Sequence, residues 1–209
     1  MIDLYINSYC HIHSSKIFKD GEMIHSLDVS GTEEVLKGSY PLLVQNYPKY
    51  YKMDALSKLG ILGAELLFAD IALVNHFSRD NFAIVMSNCD SSLETDLKHQ
   101  EAFENADAFF PSPAIFVYTL PNIVAGEIAI RHQLKGENLF YISNEFDAVQ
   151  TQMLVENIFS KAQTSACIVG WINVFKNDYE GFLMMVSPLP IGKRISFKED
   201  NLNILYKNR

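Results

Sequence analysis

Glu145 stands directly behind the apolar run 139–143, with Asn144 before it and Asp147 after it. A carboxylate here could hold or move a proton, and Ser143 could in principle attack an acyl carbon. A nucleophilic serine needs a base beside it and donors for the oxyanion. All six histidines (His11, His13, His25, His76, His99 and His132) precede this point, and nothing nearby in the sequence supplies a base. Three roles therefore stand open for Glu145: favourable charge at a helix start, acid–base catalysis, or packing at an interface. His11 and His13 put two imidazoles on one face if that segment is extended, but no third metal ligand is evident. Arg131 and His132 fall near a helix end, where cations complement the dipole. Cys10, Cys89 and Cys167 are odd in number and far apart. They read as reduced thiols of a cytoplasmic protein, with Cys89 and Cys167 as small apolar fillers.

The elements that must position these residues follow from periodicity. Residues 2–7 alternate as a half-buried strand does. Residues 11–50 read as irregular apart from a short helix at 33–36. Over 53–69, Met53, Leu56, Leu59, Leu62, Gly63, Leu66 and Leu67 form one helical stripe. The run 82–87 suits a buried strand. Residues 88–112 read as loop plus a short helix ending at the prolines. A helix then begins with Pro121 in its first turn and stops at Gly136. Strand 139–143, a helix over 146–162 and strand 165–170 make a βαβ unit with a right-handed crossover. Phe146, Val149, Met153, Leu154 and Ile158 share one side of that helix, and Trp171 ends the following strand. Segments 182–186 and 194–206 read as late strands. The class is α/β, layered helix–sheet–helix around a mixed, mainly parallel sheet.

Bulk properties exclude several functions. A net charge of −8 disfavours nucleic acid as a partner, because phosphate binding needs a basic surface. The basic residues are scattered apart from Lys49/Lys52 and Lys193–Arg194. No stretch approaches the roughly 18 unbroken apolar residues of a membrane span. The first residues, Met1-Ile2-Asp3-Leu4, lack the basic region of a secretory signal. With 48% hydrophobic residues the chain can build a sizeable core.

One segment carries a resemblance. Pro121-Asn122-Ile123-Val124-Ala125-Gly126-Glu127-Ile128-Ala129-Ile130-Arg131-His132, followed by Leu134-Lys135-Gly136-Glu137-Asn138, resembles the stretch of β-ketoacyl-(acyl carrier protein) synthases that leads to their nucleophilic cysteine. Tyr50–Leu59, Ile84–Ser87 with Leu93-Glu94-Thr95, Cys167–Trp171 and Glu180–Val186 resemble further family segments, in the family's order. The resemblance implies a thiolase-like fold, N-terminal half only, with residues 1–209 as a single truncated synthase-like domain. At the cysteine's position stands Glu145, which cannot form the acyl thioester that starts condensation. The histidines of the family's second half have no counterpart after it.

This pattern of loss resembles the chain-length factors of type II polyketide systems, and most of all short synthase-like subunits of aryl polyene and flexirubin clusters. The resemblance implies a non-condensing subunit that pairs with an active ketosynthase, as a heterodimer, and shapes its acyl tunnel. A homodimer and docking of an acyl carrier protein stay open. Phe116, Tyr118, Thr119, Leu120 and Asn122 become candidates to face the partner's tunnel, with Asp96 at a tunnel end; filling of the chain's own core is the other reading of these aromatics. No cofactor and no metal is implied. The rival functions are a stand-alone acyl-thioester enzyme (hydrolase, acyltransferase or malonyl decarboxylase) using Glu145 or Ser143, and a homodimeric acyl-binding protein. A half scaffold should also leave apolar sheet edges and helix faces for a partner to cover.

Overall fold

The computed structural model describes residues 2–104, 112–161 and 163–208. The chain opens on a three-strand meander, β1 (Tyr5–His13), β2 (Lys16–Lys19) and β3 (Glu22–Ser26). Two tight turns make it. Ser14 and Ser15 sit at φ 48° and 59°, and Asp20 and Gly21 at 54° and 90°. Paired positive φ values give the turn twist that suits hairpins. The first part of the stretch expected to be irregular, residues 11–26, is thus largely sheet. The helix expected at 33–36 is α1 (Thr32–Leu43).

Next come α2 (Ala55–Phe68), the single turn α3 (Ile71–Val74) and β4 (Phe82–Asn88). The α2 stripe is as expected from Leu56 to Leu67, while Met53 stands before the helix, whose cap is Asp54 accepting from the Ser57 amide. Every residue of β4 is buried. Helices α4 (Leu93–Glu104), α5 (Pro113–Val117) and α6 (Ile123–His132) lead to β5 (Asn138–Ile142). Pro111, where a helix end was expected, lies outside the described residues. Pro121 precedes α6 rather than joining its first turn. The helix also ends before Gly136: Gln133 takes the left-handed conformation, and the Leu134 amide reaches the Ala129 carbonyl. Gly136 has another reason to be small, since a Cβ there would lie 2.5 Å from the Phe82 backbone.

The chain continues through α7 (Ala148–Lys161), β6 (Ala166–Phe175), β7 (Asp178–Ser187), the two-residue β8 (Ile195–Ser196) and α8 (Glu199–Lys207). Trp171 therefore lies inside β6 and does not end it. The late strand expected over 194–206 is mostly α8, because Leu202 and Leu205 recur at helical spacing and are buried.

The sheet order is β3-β2-β1-β7-β6-β4-β5, with β8 beside β1. It is mixed, but two pairings are parallel and five antiparallel. The expectation of a mainly parallel sheet is corrected: tight hairpins join β1–β2, β2–β3 and β6–β7, and a hairpin can only be antiparallel. The β5–α7–β6 crossover also skips a strand, since β4 lies between its two ends.

Three layers result. Helices α1, α2 and α6 cover one sheet face through Leu36, Leu59, Leu62, Val124 and Ile128. Helices α7 and α8 cover the other through Val155, Ile158, Phe159, Leu202 and Leu205. The buried side of α7 differs from the one expected, for Val149 is 57% and Met153 60% exposed. Phe146 precedes the helix, so using it to phase the stripe rotates the helix away from its true face. Exposed large apolar side chains lie at the β3 and β5 edges (Met23, Ile24, Ile142), on outer helix faces (Ile130, Val149, Met153) and in loops (Val29, Leu189). No helix among the described residues is long and apolar enough to cross a membrane.

Candidate functional site: the strand–helix elbow and the α5 rim

Glu145 lies in the elbow between β5 and α7, at the carboxyl end of two adjacent parallel strands. Its side chain is exposed. The helix start is held by its neighbour instead. The Asp147 carboxylate accepts the Gln150 amide at 2.8 Å, and its carbonyl accepts the Thr151 amide at 2.9 Å. The capping role open to Glu145 thus belongs to Asp147. Phe146 anchors the elbow, with its ring 4.6 Å from that of Tyr206 and 5.5 Å from that of Phe182. Burial raises the pKa of the Tyr206 hydroxyl, and the nearby Cys89 and Glu145 add to that effect. Tyr206 and the Trp171 indole both donate to one oxygen of Glu180, at 2.9 and 3.2 Å. The groove at the elbow is lined by residues 143–149 and Asn203. Ser143 is half-buried there, with its amide bonded to the Asn88 carbonyl and no histidine in the lining.

The second group of candidates gathers around α5. No residue of α5 itself is buried. Phe116 is 56% and Leu120 49% exposed, whereas Tyr118, just past the helix, is 8% exposed. Thr119 is half-buried and Asn122 exposed. The Tyr118 hydroxyl donates to Glu127 at 3.0 Å, and Lys49 meets the other carboxylate oxygen at 2.6 Å. Burial, followed by the charge of Glu127, pushes the Tyr118 pKa up, so it remains a donor. One residue on, the Thr119 carbonyl accepts from the Ser92 hydroxyl at 2.7 Å, with Asp96 at 3.2–3.3 Å from the same hydroxyl. Tyr118, Thr119 and Asp96 are thus brought into one neighbourhood, with Phe116, its ring 5.7 Å from that of His99 on α4, and Leu120 exposed at its rim. Tyr118 divides from the rest, because it fills the chain's own interior.

Glu127 and Lys49 escape the sequence reading, although a signal exists. Glu127 shares the stripe of Val124 and Ile128 on α6, and a charge on an apolar stripe demands a buried partner. Since Lys49 is committed to that ion pair, the Lys49/Lys52 cluster is not a free basic patch.

The remaining candidates are placed by packing. His11 and His13 share one face of β1, as alternation dictates. The His11 ring stacks on Phe182 at 4.4 Å and that of His13 on Phe18 at 5.4 Å. His132 stacks on Phe68 at 4.1 Å. Burial, with the charges of Arg131 and Arg79, pushes its pKa down to about 3. Glu65 lies 3.6 Å away, but Arg131 takes the same carboxylate oxygen at 2.6 Å. His132 is therefore neutral at pH 7 and is not the helix-end cation expected. Cys167 is buried, while Cys89 is exposed and is no core filler.

No family model matches the chain, and no curated protein does. Solved structures do. The ishigamide ketosynthase/chain length factor matches with a TM-score of 0.65 at 16% identity, over 88% of this chain and 62% of that one. A ketosynthase (ApeO) in complex with its chain length factor (ApeC) from Xenorhabdus doucetiae matches at 0.58 and 13% identity, over 90% and 79%. A β-ketoacyl synthase from Burkholderia phymatum matches at 0.59 and 8% identity, over 90% and 59%. The chain thus spans about three fifths of the length of the first and third of these. Identities this low speak to architecture, and the architecture is the thiolase-like fold of ketosynthases and chain length factors.

Proposed function

We propose that this chain is a non-condensing, ketosynthase-like subunit of the chain-length-factor type, which pairs with an active ketosynthase and shapes its acyl tunnel. One observation carries the reading: the elbow between β5 and α7 holds an exposed carboxylate, Glu145, with a separate residue capping the helix. In a synthase of this fold the elbow presents a thiolate. A carboxylate there leaves the shape of the scaffold without its covalent chemistry. The mechanism is then steric. The partner performs the condensation, and side chains from this subunit limit the room for the growing chain.

The surface supports a partner. Strand β5 is the last strand of the sheet and pairs only with β4 among the described residues, so its outer backbone edge is open. Pro121 and Asn122 lie beside that edge, Ile142 at its end is 50% exposed, and Leu120, next to Pro121 in sequence, is 49% exposed. An open strand edge flanked by apolar side chains suits a second chain. The complex of the ketosynthase ApeO with its chain length factor ApeC favours a ketosynthase in that role. The product class that fits the sequence resemblance is an aryl polyene, with the growing chain delivered by an acyl carrier protein. The scaffold corresponds to the N-terminal half of a synthase, acting in the cytoplasm.

Co-expression with an active ketosynthase from the same pathway tests this. A 1:1 complex that makes polyene, with a changed length distribution in Phe116→Ala, supports the reading. A stable homodimer that ignores the synthase overturns it. Turnover of acyl- or malonyl-carrier protein by the chain alone, lost in Glu145→Ala, would favour the stand-alone enzyme instead.

A further inference from the structure

Helix α5 carries Phe116 on a support of an unusual kind. None of its five residues is buried. Its inner side, at Ala114 and Ile115, faces a cleft of about 500 Å³ whose far wall includes Leu36, Met53 and Asp54. Close packing normally fixes the position of a helix, because interiors leave few voids larger than a water. Among the described residues the floor under α5 is open, and the Phe116 ring meets α4 at His99, 5.7 Å away. The hydrogen bonds that tie the segment down sit at its end: Tyr118 to Glu127, itself paired with Lys49, then the Thr119 carbonyl to Ser92 beside Asp96. The two anchors lie on adjacent residues and grip α6, the turn at 48–52, and α4. Leu120 follows immediately, and Phe116 lies two residues before the first anchor.

We propose that Tyr118, Glu127, Lys49 and Ser92 are positioning residues that set how far Phe116 and Leu120 project from this subunit, and so set product length. The inference rests on the tunnel-shaping reading above. With the anchors cut, α5 can settle toward the cleft, and its exposed side chains withdraw. The accessible room in the partner then increases, and products lengthen. Glu127 supports this role because a carboxylate that is 5% exposed needs both of its partners to stay there.

Two measurements test the proposal on the full chain. In the free chain, amide hydrogen exchange over residues 113–120 should quicken at least tenfold in Tyr118→Phe and in Ser92→Ala, relative to the amides of β4 in the same protein. Tyr118→Phe keeps the ring, so the core remains filled. Unchanged exchange in both variants overturns the proposal. In the complex with ketosynthase and carrier protein, Tyr118→Phe and Lys49→Met should shift products toward longer chains, while Lys49→Arg retains the original distribution. Phe116→Ala combined with Leu120→Ala is the control that separates the two ideas. If the control lengthens products and the anchor variants do not, the anchors are not positioning residues. If the control changes nothing, or no complex forms, the tunnel-shaping reading itself fails.

Discussion

Glu145 and Asp147 stand two residues apart and do different work. Asp147 caps α7, so Asp147→Ala should lower stability by about 1 kcal/mol. Glu145 is exposed and caps nothing, so Glu145→Ala should change stability by less than about 0.5 kcal/mol. Urea denaturation of the two variants checks both values. A second residue-scale prediction concerns His132. Unfolded, its imidazole takes a proton near pH 6.5; folded, it does so only near about 3. Above pH 6.5 both states are neutral and the term vanishes. As pH falls from 6.5 toward 3, the unfolded chain binds a proton that the native chain refuses, and stability drops by at most about 1.4 kcal/mol per pH unit. His132→Phe keeps the stack on Phe68 and removes that proton. Urea midpoints compared at about pH 7.5 and about pH 5 should therefore fall further in the parent than in His132→Phe.

Among the elements, those with strong apolar order were legible. The α2 stripe and the buried β4 follow directly from residue type and spacing. The strand–helix elbow at 143–147 was legible too, including the carboxylate in it. The meander was not. Its Asp20-Gly21 pair is a hairpin signal by chemistry, but β3 is too exposed to show alternation, and the Ser14-Ser15 turn uses residues that seldom take positive φ. The face of α7 was misassigned by counting Phe146 as helical. The anchors of α5 were illegible because two of the contacts join residues distant in sequence, 78 apart for Lys49 and Glu127 and 27 for Ser92 and Thr119. At this scale the prediction concerns the β5 edge. Ile142→Lys puts a charge into the proposed contact and should abolish the 1:1 complex, with helix content unchanged by circular dichroism. Met23→Lys, on the opposite edge and 55% exposed, should leave the complex intact. Size-exclusion chromatography of both variants with the ketosynthase decides.

For the whole molecule, the two sheet faces are closed by different means. Helices α1, α2 and α6 close one, and α7 with the C-terminal α8 closes the other. Leu202 on α8 has no exposure, so Leu202→Ala should cost about 2–5 kcal/mol, read from thermal or urea unfolding. The same α8 brings Tyr206 against Phe146, so the last helix and the elbow are one packed unit. Loosening α8 should therefore also quicken exchange of the amides at 143–147, far away in sequence.

The open rim at β5 bears on how the polypeptide behaves when made without a mate. A free row of backbone donors and acceptors, bordered by greasy side chains, will zip onto whatever ribbon is offered, including its own kind. Made by itself, the protein should stay dispersed when dilute and self-associate as its concentration rises; supplied with equimolar synthase, it should stay dispersed at both. The ratio of the two gene products would then govern how much of it survives.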